Sequence, residues 1–187
     1  MKKPHRIVAQ LQEEFPQAVQ EAIDFLDELT LVVDCAAVAD VCTFLRDNPA
    51  LTFNYLCDLS AVDVWPEQPR FEVNVHLLSI PTSRLSRTHG GAKEGPRRLR
   101  VKVRLEERDA HMPTLTGVWP PAAWHEREIH DLFGIDFVGH PDMRPLLLPD
   151  DWDAPPPMRR DGPGPVQEVA FSFNQERVFR DKPCAKE

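Results

Sequence analysis

The chain has 187 residues, of which 42% are hydrophobic and 28% are charged. A chain of this length forms one domain, with or without a tail, and the core of such a domain needs no disulfide or metal. With 22 basic against 30 acidic residues, its formal net charge is −8. That charge excludes binding of nucleic acid or anionic lipid through the surface as a whole, because both require a positive potential.

The first quarter of the chain predicts helix, strand and helix in turn. Residues 5–29 have helical character, interrupted at Pro16. Residues 29–33 are short and β-branched, which predicts a strand. Asp34 is expected to cap a helix over residues 35–46, which the following Asp-Asn-Pro sequence ends.

The middle of the chain predicts a β-hairpin. Residues 51–57 fit either a strand or a short buried turn, and residues 58–63 predict a connector. Every second residue is apolar in 71–77 and again in 99–105, the pattern of half-buried strands, and the turn-rich stretch 81–95 between them predicts a loop. We therefore expect an antiparallel pair with one buried face.

The second strand of this pair is basic on its exposed face, through Arg97, Arg98, Arg100, Lys102 and Arg104. A solvated charged face, or protection of an edge strand against aggregation, is one explanation. A docking surface for an acidic partner is the other. No aromatic residues are interleaved, so the pattern does not favour a nucleic-acid platform.

A helix is predicted over residues 122–133, with Gly134 at its C-terminal cap. Its core-facing stripe is formed by Ile129, Leu132 and Phe133. Residues 135–138 predict a brief strand and residues 139–142 a tight turn.

From residue 141 to residue 165 the sequence contains eight prolines, too many for a regular element of any length. Such a segment can be a linker, a wrap on its own domain or an arm laid on a partner. The predicted fold class is α+β, a mixed or antiparallel sheet with helices packed on one side. We divide the chain into an N-terminal helical segment (1–30), an α+β domain (31–140) and a proline-rich extended arm and tail (141–187).

The sequence contains no apolar run long enough for a transmembrane helix, and its start matches neither a secretory signal nor a transit peptide, so we expect a protein of the cytosolic compartment. Its cysteines, which form no CxxC motif, are Cys35, Cys42, Cys57 and Cys184. We expect them to be buried thiols, and no iron–sulfur site in this chain.

His125 and His130 suggest a metal site at first sight. A zinc-protease helix needs histidines at i and i+4, whereas these are five residues apart and point about 140° apart around a helix. The sequence therefore predicts no metal site here.

Carboxylates on the same helix suggest acid–base catalysis. Arg127 and Asp131 are one turn apart, as are Glu126 and His130, and this spacing predicts intrahelical ion pairs. A hydrolase that uses these groups together with Glu128 is the competing hypothesis. Nucleotide and nucleophile-elbow motifs are absent, so the residues favour a protein held by other proteins, with a free-standing regulatory binding module as a third hypothesis.

From residue 126 onward the sequence resembles the family of thirty-kilodalton subunits, also called C subunits, of NADH–quinone oxidoreductase (respiratory complex I). The matching run is Glu126-Arg127-Glu128, Asp131-Leu132-Phe133-Gly134-Ile135, Phe137, Gly139-His140-Pro141-Asp142, Arg144 and Leu146 to Trp152. Weaker resemblance covers residues 30–162. The signature and interface residues that the resemblance marks are Glu126, Arg127, Glu128, Asp131, Phe133, Gly134, Gly139, His140, Pro141, Arg144, Arg159 and Arg160.

The resemblance implies a non-redox scaffold in the peripheral arm of a proton-translocating NADH–quinone oxidoreductase, held at the cytoplasmic face of the cell membrane only through the complex. It implies subunits D and B and other peripheral-arm subunits as partners, and no nucleic acid. NADH, FMN, iron–sulfur clusters and quinone would be bound by partner subunits, and this chain would supply no catalytic, cofactor-binding or metal-binding residue. The arm around Arg159 and Arg160 would run across the first of these partners, the D subunit.

The sequence departs from this family at three places. Pro145 stands where a second basic residue is usual, no aromatic residue lies near Gly162, and residues 166–187 have no counterpart. Related subunits occur in membrane-bound, energy-converting hydrogenases. The equivalent subunit of such a hydrogenase or related dehydrogenase complex is therefore the alternative.

Overall fold

The computed structural model describes residues 6–80, 97–149 and 151–161. The helices in these ranges are α1 (Arg6–Glu14), α2 (Val38–Asp47) and α3 (Ala122–Phe133). The strands are β1 (Val19–Phe25), β2 (Glu28–Val33), β3 (Tyr55–Asp63), β4 (Phe71–Ser79), β5 (Arg97–Leu105), β6 (His111–Pro113) and β7 (Asp136–Val138). None of the helices in the described ranges is long and apolar enough to cross a membrane.

Five strands form one mixed sheet in the order β1-β2-β5-β4-β3. Only β2 and β5 run parallel within it; the other neighbours are antiparallel. β4 and β5 pair along their whole length, from Phe71 opposite Leu105 to Ser79 opposite Arg97, which confirms the predicted hairpin. β6 and β7 form a separate parallel pair.

The apolar side chains of β4 and β5 line one face of this sheet. Val73 lies opposite Val103 and Val75 opposite Val101, and all four are fully buried. The helices bury their apolar residues in the same cluster, including Ile7 and Leu11 of α1, Val41 and Leu45 of α2, and Ile129 and Phe133 of α3. The helices therefore pack on one side of the sheet, which confirms the predicted α+β class.

Both predicted helix caps are present. The Ala36 N–H donates to the Asp34 carboxylate over 3.3 Å, at a 3₁₀ turn (Cys35–Ala37) that leads into α2. Gly134 ends α3 with a left-handed φ of 70°. A Cβ at Gly134 would lie 2.9 Å from the Pro156 side chain, so glycine also leaves room for the C-terminal segment.

The helix predicted over the second half of residues 5–29 is wrong. Residues 19–25 form β1, and the predicted boundary after residue 30 falls inside β2. The turn between these strands uses positive φ at Leu26 and Asp27. Six of the seven β1 side chains are exposed, so the strand carries no alternation of apolar and polar residues that would have identified it.

Two further predictions differ from the structure. Residues 58–63 belong to β3 and are not a connector, and a register shift between Leu56 and Asp58 interrupts the alternation there. The thiol of Cys57 is exposed, whereas that of Cys42 is buried, and burial raises the pKa of Cys42 to about 12.

The predicted loop at 81–95, Cys184 and the tail beyond residue 161 lie outside the described residues.

The basic residues of β5 do not protect an edge, because β5 is the central strand. Acidic residues of other strands in the sheet lie close to three of them. Lys102 lies 2.6 Å from Glu72, Arg104 is 3.4 Å from Glu21, and Arg98 is 3.6 Å from Glu28. Three of the five basic residues thus have acidic partners within the sheet, which supports a solvated charged face over a docking surface for an acidic partner.

Phe133→Ala tests the register of α3. Removing this buried ring is expected to lower the free energy of unfolding by about 3–4 kcal/mol, measured by urea denaturation. Phe25→Ala is the matched control, because that ring is 70% exposed and should cost less than about 1 kcal/mol. Equal losses for the two variants would contradict the register.

Candidate functional site

The signature residues of α3 do not pair with one another, so the predicted intrahelical ion pairs are wrong. Glu126 binds the segment before the helix, and Arg127 and Asp131 bind the segment after β7, mainly through its backbone. The helix thereby ties together the segments that precede and follow it.

Glu126 holds the segment before the helix. Its side chain is fully buried, and its two oxygens accept from the Leu115 N–H over 2.7 Å and the Thr114 hydroxyl over 2.5 Å. Burial raises the pKa of this carboxyl above its ordinary value, against the opposing effect of these hydrogen bonds and of nearby His140. A carboxyl in this position is a structural acceptor enclosed by protein.

His140 fixes the turn after β7. Its Nδ1 accepts from the Asp142 N–H over 3.0 Å, which places the proton on Nε2, and Nε2 is 3.1 Å from the Ala123 carbonyl. The imidazole is almost completely buried. The turn that includes Gly139, with its φ of 86°, and exposed Pro141 is therefore fastened to the first turn of α3.

Arg127 binds the backbone of residues 144 and 145, in the segment that follows β7. Its guanidinium donates to the carbonyls of Arg144 and Pro145, over 2.8 and 2.9 Å. Proline at 145 costs nothing here, because the helix uses its carbonyl and not an N–H. Arg144 itself is exposed and pairs with Asp142 over 2.7 Å, which holds the pKa of Asp142 well below its usual range.

Asp131 binds the backbone of the next three residues, 146–148. Its Oδ2 accepts from the N–H groups of Leu146, Leu147 and Leu148, over 2.8, 2.7 and 3.2 Å. Burial alone would raise the pKa of Asp131, but these three N–H donors outweigh it and lower the pKa. The carboxylate is therefore ionised at neutral pH and acts as an anchor for backbone.

The C-terminal segment folds back on its own domain. Arg159 donates to the Phe133 carbonyl over 2.7 Å, and the Arg160 N–H donates to Asp63 over 2.9 Å. The Met158 N–H bonds the Leu132 carbonyl over 3.0 Å. Up to residue 161, the proline-rich segment is thus a wrap on its own domain.

A buried arginine that sequence reasoning missed secures this wrap. Arg70 is fully buried and contacts Asp63 over 2.8 Å, Glu107 over 2.6 Å, and Asp161 through a very short hydrogen bond. Burial acts to raise the pKa of Asp63, but hydrogen bonds from Arg70 and from the Arg160 and Trp65 N–H groups lower it to about 2. A lone arginine at the start of a strand carries no sequence signal for such a role.

Glu128 is the exception among the acidic signature residues of α3. It is exposed and forms no hydrogen bond or ion pair with any residue in the described ranges. Trp124 lies one turn before it and is 62% exposed, with the Arg127 guanidinium 5.4 Å from its ring centre. Large exposed apolar side chains on a fixed backbone are typical of protein contact surfaces, and Leu147 and Trp152, later in the chain, are also exposed.

Metal ligation has no support in this part of the molecule. No group of three or more His, Cys, Asp or Glu side chains among the described residues is arranged to hold a metal ion. His125 instead lies 3.6 Å from Asp58 of β3, and His130 lies 3.2 Å from Asp136.

Sequence comparison gives a consistent result along nearly the whole chain. The profile of the family described as "Respiratory-chain NADH dehydrogenase, 30 Kd subunit" matches residues 31–168. The C subunit of NADH-quinone oxidoreductase from Roseiflexus sp. strain RS-1 is 41% identical, over 97% of this chain and 96% of the relative. The protein of the same name from Citrifermentans bemidjiense is 37% identical, over 90% and 96%.

Two solved structures resemble the fold. A trypsin-resistant fragment of Nqo5 is 31% identical with a TM-score of 0.56, and the match covers 73% of this chain and 98% of the fragment. A chain of the membrane-bound sulfane sulfur reductase, an archaeal respiratory membrane complex, has a TM-score of 0.65 over 97% of this chain and 94% of its own. At 24% identity, the second likeness concerns the fold alone.

Glu126→Gln is expected to remove a pH dependence of stability. Its amide oxygen can still accept from the Leu115 N–H, and its amide nitrogen can donate to the Thr114 hydroxyl oxygen in place of the bond that Glu126 accepts. Because the native pKa of Glu126 is raised, the native state binds the proton more tightly than the unfolded state. The free energy of unfolding of the wild type should therefore fall as pH rises from about 4.3, the ordinary glutamate value, through the native pKa.

Urea denaturation at a series of pH values measures this effect. The Gln variant lacks this contribution, so its stability relative to the wild type should increase with pH over that window. Glu128→Gln, an exposed change on the same helix, is the control and should follow the wild type. Parallel profiles for the wild type and Glu126→Gln would contradict the assignment.

Proposed function

This chain belongs to the family of the 30 kDa subunit of respiratory-chain NADH dehydrogenase, and from that membership we propose that it is a non-redox scaffold subunit in the peripheral arm of a proton-translocating NADH–quinone oxidoreductase. In this role it supports the quinone-reducing module and provides no catalytic group of its own.

The observation that carries the proposal is the extent of the sequence match. Identity of 41% extends over nearly the full length of both chains. The relative is named as a subunit of that enzyme, and this chain corresponds to almost all of it. The match includes the residues of α3 whose contacts are described above.

The use of charge in the site supports a mechanical role. Glu126 and Asp131 are buried, and both oxygens of Glu126 and one oxygen of Asp131 accept hydrogen bonds from backbone N–H or hydroxyl donors. Arg127 and Arg159 donate to backbone carbonyls. Side chains engaged in this way stabilise the fold. The stabilised fold in turn presents a fixed surface to partners.

The proposed partners are subunits D and B and other subunits of the peripheral arm. The exposed apolar side chains on and after α3, Trp124, Leu147, Trp152 and Met158, are suited to such contacts. NADH, FMN, the iron–sulfur clusters and quinone are bound in partner subunits, and the chain is held at the cytoplasmic face of the membrane through the complex.

Recovery of the tagged protein from membranes tests the proposal. With a tag at the N-terminus and extraction in a mild detergent, subunits B and D and NADH–quinone reductase activity should be recovered together with this chain. A nickel-containing large subunit with hydrogen-dependent activity would instead favour an energy-converting hydrogenase. Recovery of the chain alone from the soluble fraction would contradict both.

A further inference from the structure

A groove of about 360 Å³ lies at the C-terminal end of α3, between the helix and the segment that follows β7. Its walls are mainly apolar and include Leu148, Pro149, Trp152 and Pro156. Asp131 also lines it. The groove is therefore an apolar and aromatic recess that contains one buried carboxylate.

One oxygen of the Asp131 carboxylate, Oδ1, is not enclosed by protein and has no hydrogen-bond partner among the described residues. Asp131 is 5% exposed, and all three hydrogen bonds to its carboxylate end at Oδ2. A partner that covered the groove without supplying a donor would leave Oδ1 buried and unpaired, which is unfavourable.

The charged residues near the groove also favour a basic occupant. Asp151 and Asp153 flank Trp152 in the chain, and both are exposed. Two basic side chains near the groove are already engaged, because His130 lies 3.2 Å from Asp136 and Arg159 donates to the Phe133 carbonyl. Trp152, which has an exposed aspartate on either side of it in the chain and lines the same groove as Asp131, is suited to a cation, which gains from both the carboxylates and the ring face.

We propose that this groove receives a lysine or arginine side chain from a segment of a partner subunit, with its charged group at Asp131 Oδ1 and its aliphatic stem against Trp152. The proposal rests on the proposed function, since the partner is another subunit of the complex. An apolar side chain would leave Oδ1 without a donor, and an acidic one would be repelled by Asp131, Asp151 and Asp153.

Competitive incorporation of variants into the assembled complex measures the contribution of the groove. Each tagged variant is expressed beside the untagged wild-type chain, and mass spectrometry gives their ratio in the purified complex. Trp152→Leu and the double change Asp151→Asn with Asp153→Asn should each lower incorporation roughly threefold to tenfold, the effect of one cation–π contact or ion pair. Asp131 is left intact in this experiment because it also anchors the backbone.

Trp65→Leu is the matched control. Trp65 is 42% exposed and Trp152 41%, but Trp65 lies between β3 and β4 and does not line the groove. Its replacement should leave incorporation at the wild-type level. Equal incorporation of the groove variants and the control would overturn the proposal.

A photocrosslinker identifies the occupant directly. With p-benzoylphenylalanine in place of Trp152 in the full chain, irradiation of the complex should join position 152 to a partner segment that carries a lysine or arginine at the crosslink. Crosslinks to a segment without a basic residue, or to lipid only, would overturn the groove proposal while the scaffold role stands. Failure of the wild-type chain to enter any complex would overturn both.

Discussion

The structure after β7 depends on one constraint, the need of an irregular backbone for hydrogen-bond partners. Residues 139–149 contain no helix or strand, so their N–H and carbonyl groups have no ladder to join. Asp131 and Arg127, one turn apart on α3, supply the missing acceptor and donors to consecutive residues of this segment. Glu126, on another side of the helix, accepts from the Leu115 N–H and from the Thr114 hydroxyl. The helix thus determines the course of chain on both sides of it.

This constraint also accounts for the ionisable residues of α3 without assigning them to an active site. A buried carboxyl with a raised pKa is a common mark of acid–base catalysis. Glu126, however, has no exposed surface, and both of its oxygens already accept hydrogen bonds, so a substrate has no access to it. Glu128 is exposed without a described partner, and a single exposed glutamate offers no second group for catalysis. The same side chains, used as anchors, produce the fixed surface that a subunit of a large complex needs.

The sequence correctly predicted the elements that bury one face, because burial of one face produces a periodic pattern of apolar residues. β4, β5 and α3 each alternate or repeat because one face meets the core, and the predicted helix over 122–133 has the observed bounds. β1 was missed because its side chains are exposed, and its strand structure comes from pairing with β2 through a turn of two left-handed residues. The contacts of the site were missed for a different reason. Residue spacing shows only neighbours on the same helix, whereas Arg127, Asp131 and Arg70 bind groups 7 to 91 positions away.

The most direct test of the account is hydrogen exchange at the amides of Leu146, Leu147 and Leu148 in Asp131→Asn. The account predicts that these three amides exchange about tenfold faster or more than in the wild type, since loss of a charged acceptor costs about 1.5 kcal/mol or more. The amides of Val75 and Val101 in the sheet should be unchanged, and Asp40→Asn, an exposed change on α2, should alter none of these amides. Unchanged exchange at residues 146–148, or a uniform increase throughout the protein, would contradict the anchoring role of α3.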